Sequence, residues 1–137
     1  MRVVESFSPA RIGQKRGVML VDAGKNVCGW LRIRVRGKRG AKVTVQYAEL
    51  LDGEGRLGRA NLRTARSRDV YILSGEGEEV YAPSFTYHGF RYAEIAVEGE
   101  AEMTAAEVQR IRSDVQACGS FTCSDAQLNA LHGMAVL

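Results

Sequence analysis

The stretch CGWLRIRVRG, residues 28–37, alternates one apolar side chain with one arginine over residues 31–36. A period of two is that of a β-strand, because successive side chains point to opposite faces of the backbone. Leu31, Ile33 and Val35 are expected to face a core and the arginines to face water. The alternation therefore predicts a strand with one buried and one solvated face.

The same period predicts strands on both sides of this stretch. GVMLVDAG (residues 17–24) predicts a separate earlier strand, and KVTVQYAEL (residues 42–50) predicts a later one with Val43, Val45 and Tyr47 on one face. The glycines of RGKRG (residues 36–40) predict a tight turn. The strands on the two sides of that turn are therefore expected to form a hairpin.

Further along the chain the strands become shorter and the turns richer in glycine. ANLRTARSR (residues 60–68) yields no prediction. Extended segments are predicted in DVYILSG (69–75), FTYHGFRYAEIAVEG (85–99), AAEVQRIRSDV (105–115) and GSFTC (119–123). Many short strands with glycine-rich connections predict an all-β fold, an antiparallel β-sandwich over residues 1–123.

The last residues, SDAQLNALHGMAVL, change to a helical pattern. Ser124 is expected to be the N-cap, with Gln127 closing a capping box. Leu128, Leu131 and Ala135 fall on one face of a helix from residue 126 to 137. No partner for that apolar face follows, so residues 124–137 are expected to be the start of a truncated helical segment.

Composition excludes several classes of protein. The 137 residues contain no apolar run near the ~20 residues of a membrane span, and the first residues show no secretory signal, so we expect a cytoplasmic protein with no membrane contact. The net charge of +3 comes largely from basic residues that alternate with apolar ones, which indicates a solvated strand face rather than a nucleic-acid site. Those basic residues are Arg32, Arg34, Arg36, Lys38, Arg39 and Lys42.

The cysteines and histidines predict neither a metal site nor a cofactor. Three cysteines without a C-x-x-C pair and two histidines do not complete a structural zinc set. Free buried thiols are expected for Cys28, Cys118 and Cys123, and a bridge between Cys118 and Cys123 is the alternative.

Five segments occur in an order and spacing that resembles bacterial α-L-rhamnosidases. They are VDAGKNVCGW (21–30), YAELLDGEGRL (47–57), NLRTARSRDVYILSG (61–75), FTYHGFRYAEI (85–95) and SDVQACGSFTCSDAQLNALH (113–132). Ala23 and Cys28 depart from the usual family residues at their positions. The resemblance implies a jelly-roll, concanavalin-like β-sandwich that precedes a catalytic helical barrel, with SDAQLNALH as the first barrel helix.

The resemblance also implies where the chemistry is done. In the family an inverting mechanism uses a general acid and a general base on the helical barrel, so this segment is expected to be a non-catalytic accessory domain without catalytic residues of its own. Asp52 and Glu54 lie in an acid-rich loop, where exposed carboxylates are expected to keep ordinary pKa values. An ion pair, within the domain or with another domain, is expected for Asp69, which follows several arginines.

FTYHGFRY, residues 85–92, contains four aromatic rings, one histidine and one arginine. As a strand it places Phe85, Tyr87, Gly89 and Arg91 on one side and Thr86, His88, Phe90 and Tyr92 on the other, with Gly89 a candidate bulge. Residues at a substrate rim or an interdomain contact are therefore expected to be Trp30, Arg63, Asp69, Tyr87, His88 and Arg91.

A second hypothesis is a carbohydrate-binding module that acts without chemistry. Trp30, Tyr87, Phe90 and Tyr92 would stack on a sugar, and His88 and Arg91 would contact its hydroxyl groups. The partners expected under these two hypotheses are the catalytic barrel of the same protein and rhamnose-containing glycans. Self-association of the isolated chain through an exposed apolar patch is a third hypothesis.

Overall fold

The computed structural model describes residues 1–15, 17–116 and 118–136. Within those residues ten strands, one 3₁₀ turn and one α-helix form. The strands are β1 Arg2–Phe7, β2 Ala10–Lys15, β3 Val18–Gly37, β4 Lys42–Ala48, β5 Leu50–Leu51, β6 Leu57–Gly58, β7 Arg68–Ile72, β8 Glu78–Tyr81, β9 His88–Glu98 and β10 Ala101–Arg112. The 3₁₀ turn is Ala60–Leu62 and the helix, α1, is Ala126–Ala135. The all-β, antiparallel prediction is confirmed.

Strand β3 runs through both layers of a β-sandwich. Its first part pairs with β2 and β9, and its last part pairs with β10 and β8. One layer is therefore β2–β3–β9–β4–β7 and the other is β1–β10–β3–β8. The prediction of two separate strands in this region was wrong. The chain does not reverse at Gly24, whose φ is 76°, and only the register with β9 shifts, between Asp22 and Val27.

The predicted hairpin between the β3 and β4 segments was also wrong. Strand β4 pairs with β7 and β9 instead. The intervening loop is bonded to residues that adjoin other strands, since the N–H of Lys38 donates to the carbonyl of Glu100 and the N–H of Gly40 donates to the carbonyl of Leu73. The loop thus carries the chain from one layer to the other, a choice that alternation alone does not reveal.

The predicted inward faces are confirmed. Leu31, Ile33 and Val35 of β3 pack with Val43, Val45 and Tyr47 of β4 in one buried core, together with residues of β9 and β10. The opposite face of β3 and its neighbourhood is charged, and basic residues there contact acidic ones. The ion pairs are Arg32–Glu107 at 3.5 Å, Arg34–Glu78 at 3.9 Å, Lys38–Glu100 at 2.6 Å and Lys42–Glu98 at 2.7 Å.

The C-terminal helix forms, but its cap is not the predicted one. Asp125 is the N-cap, and its carboxylate accepts from the N–H groups of Gln127 and Leu128 at 2.8 and 3.2 Å. A carboxylate also suits the positive end of the helix dipole, so Asp125 displaces Ser124 from this role. Leu128 and Leu131 are 50% and 58% exposed. The predicted helix end at Leu137 lies outside the described residues.

GSFTC does not form the predicted strand. The side chain of Asn129 accepts from the N–H of Cys123 at 2.9 Å and donates to its carbonyl at 2.7 Å, so these backbone groups bond to the helix rather than to a strand. The cysteines are free, and Cys28 and Cys118 are exposed, which corrects the expectation of buried thiols. In the described part of the chain, no helix is long and apolar enough to cross a membrane.

Glu79 organises the connection between β7 and β8. Its carboxylate accepts from the hydroxyl of Tyr71 at 2.6 Å and from the N–H groups of Ser74 and Gly75, each at 2.9 Å. These donors hold the pKa of Glu79 at about 2, and the same contact raises the pKa of Tyr71 to about 12. The ring of Tyr71 also stacks on Tyr81, with centroids 4.7 Å apart, which joins the two strands.

Gly29 of β3 should not tolerate a side chain. A Cβ there would lie 1.9 Å from the carbonyl oxygen of Gln109 in β10, so Gly29→Ala should lower the free energy of unfolding by roughly 2–3 kcal/mol. Urea unfolding checks this. The matched control is Gly13→Ala in β2, where the nearest atom to the new Cβ is 3.9 Å away. Equal losses in the two variants would contradict the close approach.

Acid should remove the stabilisation that Glu79 contributes. Because its folded pKa is about 2 against an ordinary 4.5, the contribution is complete above about pH 4.5 and declines as the pH falls toward 2. The stability deficit of Glu79→Gln relative to the unsubstituted chain should therefore shrink across that window in urea unfolding. Glu76→Gln, in the same turn, is the control. A deficit that stays constant from neutral to acid pH would contradict the assignment.

Candidate functional site

The candidate site lies where β3 passes from one layer to the other. Gly29 pairs with Arg110 of β10 on one edge and with His88 of β9 on the other. The next residue, Trp30, is opposite Gln109 and points outward, since Leu31 points into the core. This crossing brings together four of the six predicted site residues: Trp30, Asp69, Tyr87 and His88.

A polar network lies under this crossing. The ring of Tyr47 stacks on His88 with centroids 4.2 Å apart and 17° between the planes. The hydroxyl of Tyr47 donates to Oδ2 of Asp69 at 2.7 Å, and Nε2 of His88 is 3.0 Å from Oδ1 of Asp69. The N–H of Leu31 donates to the same hydroxyl at 3.3 Å. Strands β3, β4, β7 and β9 are therefore joined by one set of buried hydrogen bonds.

Burial, assisted by the charge of Asp69, raises the pKa of Tyr47 well above its ordinary value. The phenol therefore stays protonated and remains a donor to Asp69. Asp69 itself is buried. An ion pair was expected for it, and the structure places it against His88 and Tyr47 rather than against the preceding arginines.

Ser67 extends the network toward the surface. Its Oγ is 3.4 Å from Nδ1 of His88, and its φ is 39°, in the left-handed region that non-glycine residues rarely adopt. Ser67, His88 and Asp69 therefore contact one another in that order, which is the order of a hydrolase catalytic triad. The long serine contact and the near-complete burial of His88 and Asp69, with side chains 10% and 7% exposed, favour support of the loop before β7 over nucleophilic attack.

A groove opens on the outer side of the crossing. It has a volume of about 420 Å³ and is lined by Met1, Arg2, Trp30, Phe85, Thr86, Tyr87 and Ile111. The indole N–H of Trp30 donates to Oε1 of Gln109 at 2.9 Å, which fixes the ring. Phe85 is fully exposed and has a φ of 62°, and Tyr87 is about half exposed.

The strand predicted from Phe85 begins only at His88. The left-handed backbone at Phe85 breaks the extended conformation, so the predicted alternation does not apply to residues 85–87. Phe90 is buried in the core, which removes it from the rings proposed to stack on a sugar. Tyr92 is half-buried and lies 5.0 Å from the guanidinium of Arg91.

The other two predicted site residues do not line the groove. Arg91 makes a double hydrogen bond to Asp22, at 2.9 and 3.0 Å, and this guanidinium lowers the pKa of Asp22. Arg63 follows the 3₁₀ turn with a φ of 51° and is exposed. No hydrogen bond or ion pair joins its side chain to another residue in the described part of the chain.

The acidic loop that contains Asp52 and Glu54 is held by an arginine. Arg56 contacts both Asp52 and Glu54, each at 2.9 Å. The N–H of Arg56, followed by its side chain, lowers the pKa of Asp52, which corrects the expectation of an ordinary value. Across residues 1–15, 17–116 and 118–136, no group of three or more histidine, cysteine, aspartate or glutamate side chains converges to hold a metal ion.

Sequence reasoning missed Tyr47, Ser67, Phe85 and Gln109 as parts of the site. Tyr47 was predicted to share a strand face with Val43 and Val45, and that face is buried. A buried tyrosine hydroxyl requires a partner, and that requirement was a signal for a buried acceptor such as Asp69. Nothing local distinguishes Gln109 from other polar strand residues.

The fold and the site define an antiparallel β-sandwich domain with an aromatic groove at one end. Residues 12–115 match the family described as the bacterial α-L-rhamnosidase concanavalin-like domain. The chain belongs to this family, as its sequence motifs predicted.

Three comparisons show how far the similarity extends. An α-L-rhamnosidase of Streptomyces avermitilis is 39% identical over 134 residues, which are 96% of this chain and 13% of that protein. The structure of the α-L-rhamnosidase from Dictyoglumus thermophilum superposes with a TM-score of 0.83 at 36% identity, over 96% of this chain and 15% of that one. The S. avermitilis enzyme complexed with L-rhamnose superposes with a TM-score of 0.81 at 35% identity, over 96% and 13%. The chain thus spans only about 13–15% of these relatives.

Removing the Tyr47 hydroxyl should destabilise the domain. Tyr47→Phe leaves a buried carboxylate oxygen of Asp69 and the N–H of Leu31 without their partner, which should cost roughly 2 kcal/mol of unfolding free energy. Urea unfolding measures the loss. Tyr87→Phe is the matched control, because that tyrosine is exposed, and it should change stability by less than about 0.5 kcal/mol. A Tyr47→Phe variant as stable as this control would contradict the role of the network.

Proposed function

We propose that this chain is a non-catalytic accessory domain of an α-L-rhamnosidase, an enzyme that releases terminal L-rhamnose with inversion. The observation that carries the proposal is the family match over residues 12–115, combined with relatives of which the chain spans only 13–15%. The larger part of such an enzyme supplies the catalytic helical barrel. The role of this domain is to pack against that barrel and position it.

The carboxyl groups of the chain support this division of labour. An inverting glycosidase needs one carboxyl group with a raised pKa as general acid and a second, about 6.5–9.5 Å away, as base. In the described residues, each carboxyl group with a clearly shifted pKa has it lowered by hydrogen-bond donors, and these groups are Glu5, Asp22, Asp52 and Glu79. Such groups are ionised at neutral pH and are poor general acids. This supports a reaction whose acid and base are supplied by the barrel.

The surface of helix α1 supports an intramolecular partner. Three apolar residues of the helix and the residue directly after it are at least half exposed. They are Leu128, Leu131, Met134 and Val136. A helix with an exposed apolar stripe gains stability by burying it against another element. We assign that element to the catalytic barrel. In the isolated chain the same residues favour self-association.

A domain exchange tests the function. In the S. avermitilis relative, the segment that aligns with this chain is replaced by this chain. The chimera should fold and hydrolyse an aryl α-L-rhamnoside, while the same enzyme with the segment deleted should lose thermal stability and activity together. The isolated chain should show no turnover. The control is a chimera that carries Gly29→Ala, which should recover less activity after heating.

Two results would contradict the proposal. One is a deletion variant that is as stable and active as the intact enzyme, since the domain would then position nothing. The other is turnover by the isolated chain that survives purification and disappears in the double variant Asp52→Asn and Glu54→Gln.

A further inference from the structure

We propose that the groove between Trp30, Phe85 and Tyr87 is a binding site for a 6-deoxyhexopyranoside, separate from the site of hydrolysis. Its volume of about 420 Å³ lies within the usual range of about 300–1,000 Å³ for small-molecule sites. Its lining is largely apolar and includes the buried Ile111 and the three rings. The choice of sugar rests on the proposed function, whereas the existence of the site rests on the groove.

The indole of Trp30 is held ready for a ligand. Its N–H is bonded to the side chain of Gln109, its cross-strand neighbour, at 2.9 Å, so the ring has little freedom to lose when a ligand stacks on it. The indole lies beside Gly29, where the backbones of β3 and β10 are in contact closer than a side chain would permit. The platform is therefore rigid.

Phe85 combines full exposure with a strained backbone. The side chain is fully exposed, so it contributes nothing to the core, and its φ of 62° is unfavourable for an aromatic residue. Strained residues that stabilise nothing in the fold are a feature of ligand sites. A ligand bound in the groove would contact this ring together with Trp30, which also lines the groove.

The chemistry of the groove matches the two surfaces of a 6-deoxy sugar. A pyranose presents a face of C–H groups to aromatic rings, and a methyl group in place of the 6-hydroxymethyl adds apolar area. The rim is polar: Thr86 carries a hydroxyl, and the guanidinium of Arg2 is exposed and held by Asp114 at 2.9 Å. Both can bond to the equatorial belt of sugar hydroxyls while the rings contact the C–H face.

The chain contains a single tryptophan, Trp30, so tryptophan emission is a local probe of this groove. Methyl α-L-rhamnopyranoside added to the chain should cause a saturable change in Trp30 emission, with a dissociation constant on the order of 1–10 mM for a ligand of this size. Methyl α-L-mannopyranoside, which differs only by the 6-hydroxyl, should bind at least about threefold more weakly. Shifts of groove amide signals in NMR spectra provide a second readout.

Variants separate binding from folding. Phe85→Asn and Tyr87→Ala should each weaken binding roughly threefold to tenfold, since each removes one stacking partner. Asparagine tolerates the left-handed backbone, so Phe85→Asn should leave the urea midpoint unchanged or raise it, whereas a structural role would lower it. Phe121→Ala removes an exposed phenylalanine outside the groove and should bind like the unsubstituted chain.

Absence of saturation in both fluorescence and NMR up to about 100 mM sugar, some ten times the weakest expected constant, would overturn the site. Equal affinity for the rhamnoside and the mannoside would overturn the 6-deoxy assignment. Loss of binding in Phe121→Ala would place the sugar elsewhere and would also overturn it. These measurements use the isolated chain without hydrolysis, so their failure leaves the accessory role intact, and a failed domain exchange leaves the groove intact.

Discussion

The two layers of this sandwich are held together by one strand that belongs to both, and that arrangement depends on the close backbone contact at Gly29. There β3 has β9 on one edge and β10 on the other, with no room for a side chain toward Gln109. The crossing determines which way the following residues face. Leu31 enters the core, and Trp30 stays outside, where it forms a wall of the groove.

The buried hydrogen bonds of Tyr47, Asp69 and His88 support this crossing. Tyr47 reaches from β4 to Asp69 of β7 and to the backbone of β3, and its ring supports His88 at the start of β9. Tyr87, the residue directly before His88, lines the groove. A rigid interior therefore continues directly into the exposed loop that carries Phe85, where the backbone is strained. Rigid support under a strained rim is what a preorganised site requires, and it also suits a domain that must keep its shape while a larger neighbour acts.

The sequence predicted which face of a strand is buried, but it did not predict which strands pair. The inward positions of β3 and the residues that share one face of β4 were predicted correctly, because alternation is a local property with a period of two residues. The hairpin between them was wrong because strand pairing depends on where the chain goes after the turn, and here the loop after Gly37 bonds to Glu100 and Leu73. At the helix start, Asp125 and Ser124 are both good caps, and only the observed geometry separates them. The strand predicted from Phe85 failed for a similar reason, since a left-handed φ at a phenylalanine has no sequence signature.

The sequence by itself determined the all-β class, the buried faces and the family, because each is recorded in local patterns and in motifs that stay in order along the chain. Only the tertiary structure decided which strands pair, that β3 is shared between layers, and that Met1, Trp30, Phe85 and Ile111 line one groove. The physical reason is that these features join residues far apart in the chain. Their energies come from packing and hydrogen bonds across strands, and a period of two contains no information about which distant strand will supply them.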